Sequence, residues 1–414
     1  MPEALATEVR IPTHLQSVIE SIDIFYEERV RPREDQLAHR LTDSRQYLAE
    51  DGKLHPEIWA ARREIMRESS DAGIYALHLP EDIGGGGLGR HDMLYVEERI
   101  YEKGIGLNPA MLAWSEGATP RLIWCQDHHR ELFVDPLVKG EYTSLHGVTE
   151  PDAGSNFFDF RTHAEKRNGR WVLNGHKAFI TNAFEADVAQ VLCVTDPGKG
   201  RESFTYFQFL TKEHEGKGFR RGNLFQTMFD DGITGEFILD NLELDDSAII
   251  GERGMGFNIA LSSINWTRMR RGGMCSGWAK YLIEKTLLRA KSRSVGGKSL
   301  GSNQGIQWMV ADMFNDWYTT RSMSLSVASE IDDPGPWWRM PRPREDIRKI
   351  CMLKLQNDEA FQRIADSAVQ IHGGSGMMKN NPINRIALIA RNLRVPGGSD
   401  EVQRTTIAQT LGLS

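Results

Sequence analysis

Apolar residues at helical spacing dominate the first 140 positions of the chain. Residues 15–22 and 93–100 carry apolar side chains three or four positions apart, a spacing that places them on one face of an α-helix. A glycine-dense segment at 84–89 separates the two stretches, and such a segment is typical of a connecting turn. The pattern predicts an N-terminal α-helical domain over residues 1–140.

Short strands replace the helical pattern between residues 141 and 248. Runs at 187–194, 204–210 and 236–240 have the length and composition of β-strands. We predict a hairpin over 171–181 because Asn174-Gly175 separates two apolar runs, and this dipeptide accepts the positive φ angles of a tight turn. The middle region is therefore predicted to be a β-sheet or β-barrel domain.

Long amphipathic helices return after residue 249. They are predicted at roughly 256–292, 303–331, 343–373 and 399–411, with Pro334-Gly335-Pro336 separating the second from the third. Four helices of this length suit a bundle. The predicted fold class is α+β with three domains, namely helical 1–140, β 141–248 and a C-terminal four-helix bundle 249–414.

The composition excludes several classes of partner. The 414 residues have a formal net charge of −7 and no long basic run, so no surface for nucleic acid is expected. There is no apolar run of about 18 residues and no leader-like N-terminal segment, which predicts a cytoplasmic protein without a membrane span. The four cysteines are widely separated and lack metal-ligand spacing, so we expect reduced thiols and no metal.

The segment 148–156, with the sequence VTEPDAGSN, is the most specific motif in the chain. Its proline and small residues build a rigid turn whose backbone N–H groups can approach a flat ligand, and Thr149 and Ser155 add short hydroxyl donors. Further along the chain, Arg293 and Gln304 follow. A guanidinium suits a diphosphate because it donates a planar pair of hydrogen bonds.

These motifs and their order resemble the acyl-CoA dehydrogenase family over nearly the whole chain. The turn is similar to the family's T-E-P-x-A-G-S-D signature, Phe179-Ile180-Thr181 to its aromatic-Ile-Thr/Ser trio, and QIHGG at 370–374 to its Q-I-x-G-G element. The resemblance implies an FAD-dependent oxidoreductase of fatty acid metabolism that removes hydrogen from the α and β carbons of a CoA thioester. It also implies an electron-transfer flavoprotein as partner, and a homodimer or homotetramer.

The resemblance further implies which residues contact each ligand. Those expected at the FAD are His146, Val148, Thr149, Ser155, Phe179, Ile180, Thr181, Arg293, Gln304, Gln370, Ile371, Gly373, Gly374, Ser399 and Glu401. Those expected at the substrate are Ser155, Thr267, Arg268 and Gly398. By the same resemblance, Arg293, Gln304 and the 370–374 loop would complete the FAD site of a neighbouring subunit.

The chain departs from the family at the catalytic base. The segment RVPGGSDEVQR at 394–404 resembles the C-terminal motif in which a glutamate precedes Gly-Thr, and here that position is Gly397. A minority of the family places the base immediately before an arginine on the first bundle helix, where this chain has Thr267 before Arg268. A threonine hydroxyl cannot act as a base near pH 7.

Three explanations of the missing base remain open. In the first, a carboxylate elsewhere takes the proton, and the candidates are Glu97, Glu98, Glu116, Asp400 and Glu401. In the second, the chain is one subunit of a heteromeric dehydrogenase with a catalytically competent partner. In the third, the reaction needs no α-proton abstraction, as in a desulfinase-like lyase or an oxidase using the same pocket.

Overall fold

The N-terminal region is helical, as predicted. The computed structural model describes residues 10–114, 116–332 and 339–413, and the predicted break at Pro334-Gly335-Pro336 lies outside these ranges. The α-helices before the first strand are α1 (Gln16–Phe25), α2 (Arg31–Gln36), α3 (Ala38–Leu41), α4 (Ser44–Tyr47), α5 (Pro56–Asp71), α6 (Arg90–Tyr101) and α7 (Asp135–Val138). Helices α1, α5 and α6 bury apolar faces in one core that includes Ile22, Ile65 and Val96.

The middle region forms an eight-stranded sheet in the part of the chain that the structure describes. Its strands are β1 (Ser144–Gly147), β2 (His163–Arg167), β3 (Arg170–Ile180), β4 (Val188–Val194), β5 (Phe204–Leu210), β6 (Phe219–Leu224), β7 (Gly235–Leu244) and β8 (Ile249–Ile250). The strand order is β6-β7-β3-β2-β4-β5-β8, and β1 runs parallel to β4 beside it. A short helix, α8 (Thr211–His214), follows β5. The predicted β domain is confirmed.

The hairpin predicted at Asn174-Gly175 is wrong. Strand β3 runs without interruption through both residues, and the register against β7 shifts between Leu173 and Gly175, which marks a β-bulge. The hairpin turn lies one motif earlier, at Asn168-Gly169, where both φ angles are positive (51° and 83°) and β2 pairs with β3. Asn168-Gly169 therefore reverses the chain direction, whereas Asn174-Gly175 lies at a bulge within a continuous strand.

The C-terminal region is a set of packed helices, six within the described residues where four were predicted, because the predicted 256–292 helix is divided at Arg270 and one further helix was missed. They are α9 (Gly256–Met269), α10 (Arg271–Ser292), α11 (Gln304–Asp332), α12 (Arg344–His372), α13 (Pro382–Leu393) and α14 (Asp400–Thr410), and the small strands β9 (Ser294–Val295) and β10 (Lys298–Ser299) follow α10. The prediction missed α13, although Asn381 caps it and Pro382 occupies its first turn, which are ordinary helix-start signals.

Helix α9 joins the three regions. Its Ile259 and Ala260 share a core with Leu192 and Tyr206 of the sheet. Near its other end, Trp266 packs in a core with Leu94 of α6. The C-terminal half of α9 therefore lies where the N-terminal helices, the sheet and the bundle meet. No helix in the described ranges is long and apolar enough to cross a bilayer.

Candidate active site

Gly397 and Thr267, the two positions where a base was expected, face each other. A Cβ atom placed on Gly397 would lie 3.8 Å from Thr267 Oγ1 and 3.9 Å from Arg268 Cγ. The two alternative base positions therefore converge on one point in the structure. Neither residue carries a carboxylate, so this point has no strong proton acceptor of its own.

Hydrogen bonds hold the Gly397 loop against α9. Arg268 Nε donates to the Gly397 carbonyl at 2.8 Å, and Gln403 Nε2 donates to the carbonyls of Gly397 and Gly398 at 3.3 and 2.8 Å. Gly398 has a φ of +88°, and a Cβ there would approach Gln403 Nε2 to 2.7 Å, so the position requires glycine. The structure thus brings together three of the four predicted substrate positions, Thr267, Arg268 and Gly398.

The two carboxylates that follow the loop have other roles. Asp400 is buried and accepts hydrogen bonds from Arg394 Nε at 2.5 Å and Lys354 Nζ at 3.4 Å. Glu401 is exposed, and a hydrogen bond with the Ser399 hydroxyl lowers the pKa of Glu401. Asp400 therefore anchors the start of α14, and Glu401 stays ionised at the surface.

Glu97 and Glu98 on α6 are buried in ion pairs. Glu97 contacts Arg90, and its Oε1 lies 3.1 Å from Arg270 Nε. Burial raises the pKa of Glu97 even though both arginines lower it. Glu98 accepts a hydrogen bond from Arg321 Nε at 2.7 Å. Each carboxylate neutralises an arginine that the fold has taken out of water. Removing the carboxylate's charge would leave that arginine without a counter-charge and would destabilise the fold.

Glu116 differs from these two because it is only half-buried, in the loop before β1. Its charge acts on two buried phenols. Burial raises the pKa of Tyr75 and Tyr101, and the negative charge of Glu116 adds to both increases. Arg270 lies beside the same group, with Nη2 3.4 Å from the Tyr101 hydroxyl. Glu116 therefore belongs to the polar group around Arg270.

Arg270 connects the Glu116 loop with α9. Its guanidinium lies over the rings of Trp114 at 4.2 Å and Trp266 at 4.9 Å, which is cation–π geometry. The Arg270 N–H donates to the Trp266 carbonyl, so the helical path continues through this residue. Thr267 and Arg270 are three positions apart and lie on the same helical face. The Glu116 loop therefore approaches this face about one helical turn beyond Thr267.

The 148–156 turn is held by a buried ion pair that the sequence analysis missed. Glu150 accepts hydrogen bonds from the backbone N–H groups of Arg161 and Thr162 at 2.7 and 2.9 Å, and from Lys177 Nζ at 2.9 Å. Lys177 Nζ also donates to the Val148 carbonyl at 2.8 Å. The pair ties the turn to β3. It thereby fixes the backbone that the family motif presents to its ligand.

Acidification is expected to destabilise the fold through Glu150. Burial raises its pKa, but Lys177 and the backbone donors outweigh this and lower the pKa below the ordinary 4.5. The resulting stabilisation is present above the unfolded pKa and is lost as the pH falls through the folded pKa. Urea unfolding from pH 7 downward should show that Glu150→Gln loses about 1–3 kcal/mol at pH 7 and that this loss decreases as the pH falls through the folded pKa of Glu150. A loss that does not change with pH would contradict this.

Phe179 and Thr181 lie at a distortion of β3. The register against β7 shifts between Lys177 and Ile180, and Phe179 has a φ of +59°, rare for a bulky residue. Ile180 is buried in the sheet core, whereas the Phe179 side chain is 62% exposed. Strained backbone of this kind typically occurs where a ligand is bound. The exposed ring is therefore available for a planar partner.

His146 presents an unpaired nitrogen near the same strands. Its Nε2 is buried and has no hydrogen-bond partner within the described residues. Burial and the charges of Arg121 and Lys177 hold the pKa of His146 well below its usual range, so the imidazole is neutral at pH 7. In a neutral imidazole, the free nitrogen can donate or accept one hydrogen bond with a bound ligand, depending on the tautomer.

The remaining predicted FAD positions lie at the ends of the bundle helices. Arg293 follows α10, Gln304 begins α11, and both are exposed, as are Gln370, Gly373 and Gly374 at the end of α12. Ile371 is buried in the bundle core. A Cβ at either glycine would meet no described residue within 4 Å, which leaves the backbone open to a ligand from outside. Their expected role toward a neighbouring subunit stays a prediction.

Comparison with known protein families identifies the class of protein. The acyl-CoA dehydrogenase N-terminal domain matches residues 14–141, the middle domain 146–242 and the C-terminal domain 254–412. The chain belongs to the acyl-CoA dehydrogenase family. It is accordingly an FAD-dependent oxidoreductase that acts on CH–CH groups.

Individual relatives are distant but cover most of the chain. An acyl-CoA dehydrogenase of Bacillus subtilis is 28% identical over 359 residues, 84% of this chain and 89% of the relative. The (R)-benzylsuccinyl-CoA dehydrogenase of Thauera aromatica is 28% identical over 365 residues, 86% of each chain. Among solved structures, a glutaryl-coenzyme A dehydrogenase with glutaryl-CoA has a TM-score of 0.81 at 24% identity, covering 98% of this chain and 97% of the other. That structural likeness shows the fold.

The described residues fit an FAD. The unpaired His146 Nε2, the exposed and strained Phe179 and the open backbone at Gly373 and Gly374 each leave room or a hydrogen-bonding atom for a planar ring or a diphosphate. A bound FAD supplies the hydride acceptor.

Proposed function

We propose that this chain removes the α-proton and β-hydride of a CoA thioester and delivers the electrons to an electron-transfer flavoprotein. The observation that carries the proposal is the convergence of Gly397 and Thr267 beside the Arg268 and Gly398 substrate positions, in a chain of this family. We further propose a cytoplasmic homodimer or homotetramer, because Arg293, Gln304, Gln370, Gly373 and Gly374 are exposed in the single chain.

An exposed aromatic surface supports CoA as the carrier of the acyl group. Phe158 follows Ser155 in the chain, is 57% exposed, and its ring stacks on that of Phe257 at 6.1 Å. The Arg201 guanidinium lies 5.2 Å from the Phe257 ring centroid. Aromatic rings with a nearby guanidinium suit a nucleobase and its phosphates. We propose that the nucleotide end of CoA lies here.

Glu116 is the residue that we propose as the proton acceptor. Glu116 is half-buried, and its loop packs through Trp114 on Arg270, on the helical face that continues from Thr267. A carboxylate in this position would meet the α-carbon from the N-terminal side of the pocket. The neutral His146 and the turn held by Glu150 would orient the substrate and the flavin.

A second function is favoured by the same pair, Gly397 and Thr267. Because neither residue is a base, the pocket also suits a reaction without α-proton abstraction, such as a desulfinase-like lyase or an oxidase. A subunit of a heteromeric dehydrogenase would likewise tolerate the loss.

Anaerobic titration of the FAD-loaded protein with a panel of acyl-CoA thioesters tests these functions. Bleaching of the oxidised flavin absorbance with formation of an enoyl thioester is the expected result. Product formation without bleaching would show the lyase, and no reaction with any thioester would show a dependent subunit. The same acyl groups on pantetheine should bind at least tenfold more weakly than on CoA, because they lack the nucleotide. Equal binding would contradict the assignment of the aromatic surface.

A further inference from the structure

Arg121 is a buried cation beside the strand that carries His146. It lies in the turn before the sheet, is 1% exposed, and donates from Nε to Gln190 Oε1 at 2.5 Å and from Nη1 to Ser263 Oγ at 2.9 Å. Its Nη2 has no hydrogen-bond partner in the described part of the chain. The side chain therefore crosses from the N-terminal region into the layer between the sheet and α9.

Within the described residues, no carboxylate pairs with Arg121. The side chains whose charge acts on it are Tyr206 and Cys125, and both are neutral at pH 7. Burial lowers the pKa of Arg121 to about 10, so the guanidinium remains protonated at neutral pH. A buried cation without a counter-charge costs several kcal/mol of folding free energy. Such a group points to an anion that arrives with a ligand or during a reaction.

The sheet register places this cation in the layer that carries His146. His146 on β1 is paired with Gln190 on β4, and Gln190 is paired with Gln208 on β5, so their side chains lie on one face. Tyr206 is two positions from Gln208 and shares that face. The Tyr206 hydroxyl and His146 Nε2 are also buried and have no hydrogen-bond partner among the described residues, and the two rings stack with centroids 5.6 Å apart. Three polar groups without a hydrogen-bond partner in the described residues thus lie in the layer that contains His146, a predicted FAD residue.

We propose that Arg121 supplies the positive charge that stabilises the reduced flavin. In the proposed dehydrogenation, the base would take the α-proton and a bound FAD would accept the β-hydride, which leaves an enoyl thioester. Adding a hydride to a neutral ring gives it one negative charge. A fixed cation lowers the free energy of that charged state without reorganising, because its position is already set by Gln190 and Ser263. The inference rests on FAD binding and is independent of which thioester is oxidised.

The two-electron reduction potential of the bound FAD tests this role without requiring turnover. Arg121→Gln and Arg121→Met remove the charge, and the glutamine retains a donor for Gln190. We expect each to weaken electron binding by at least tenfold, which for two electrons is about 30 mV toward lower potential. A unit charge about 10 Å away in a medium of effective dielectric 20 has an effect of this size. Arg121→Lys keeps the charge and should stay within threefold of the wild type.

Arg33→Met is a matched control because it removes an arginine of α2 that pairs with Glu64 and Glu68 of α5. It should leave the potential unchanged. FAD content, read from the absorbance ratio, separates loss of the cofactor from a change in potential. A wild-type potential in FAD-loaded Arg121→Gln would overturn the proposal, as would an equal decrease in Arg121→Lys. Failure to oxidise any thioester would affect the proposed function alone.

Discussion

Replacing Glu116 with glutamine is expected to slow flavin reduction by a saturated acyl-CoA by about 10²- to 10⁴-fold, the usual contribution of a general base. Glutamine keeps the volume and hydrogen-bonding reach of the side chain but cannot take a proton. The rate is measured by anaerobic stopped-flow absorbance at saturating substrate. Substrate affinity should change little, because the loss falls on the chemical step and not on binding.

Two other substitutions sharpen this result. Glu131→Gln changes an exposed glutamate before the same sheet and should leave the rate unchanged. Glu97→Gln should act on stability, because it leaves Arg90 and Arg270 buried without their shared carboxylate, a loss of about 3–5 kcal/mol. A Glu116→Gln rate within threefold of the wild type would mean that the proton goes elsewhere, or that the reaction does not remove one.

Local signals predicted the fold well where neighbouring residues decide the structure. Helical spacing gave the N-terminal and C-terminal helices, and the change to short apolar runs gave the sheet. The two Asn-Gly dipeptides show where local signals stop. Asn168-Gly169 reverses the chain, whereas Asn174-Gly175 sits where Thr162 from another segment packs within 2.3 Å of any Cβ on Gly175. That neighbour cannot be known from the dipeptide.

The choice among the candidate carboxylates depends on ion pairs between residues far apart in the sequence. Glu97 and Glu98 occupy consecutive positions, and nothing nearby distinguishes a base from an ion-pair partner. The distinction comes from Arg270 and Arg321, which reach α6 only after the bundle has packed. The same reason conceals Arg121, whose environment is set by β4 and α9. Motifs locate the ligand-facing backbone, while the buried charges around it depend on tertiary contacts.

The surroundings and the backbone conformation of Gly397 determine how a glutamate would fit at this position. A Cβ there meets no described atom closer than 3.8 Å, so the first side-chain atom is accommodated without a clash. The φ of +76°, however, is in the left-handed region and costs an L-residue roughly 1–2 kcal/mol. Gly397→Gln carries the same backbone cost without a carboxylate and is therefore the matched control for every comparison.

In the otherwise unchanged protein, Gly397→Glu is expected to slow flavin reduction. The new carboxylate would occupy space beside Thr267 and would raise the pKa of Glu116 by like-charge repulsion, so less of the base is ionised at pH 7. In the Glu116→Gln background, the same substitution should raise the rate of flavin reduction by at least about 10²-fold, because it supplies a base where the two family positions converge. Gly397→Gln should not restore it. Stopped-flow rates for the parent, Gly397→Glu and Gly397→Gln in both backgrounds, six proteins in all, measure both effects. If Gly397→Glu changes neither background relative to Gly397→Gln, this loop does not face the reacting carbon, and the substrate assignment of Thr267 and Arg268 is wrong with it.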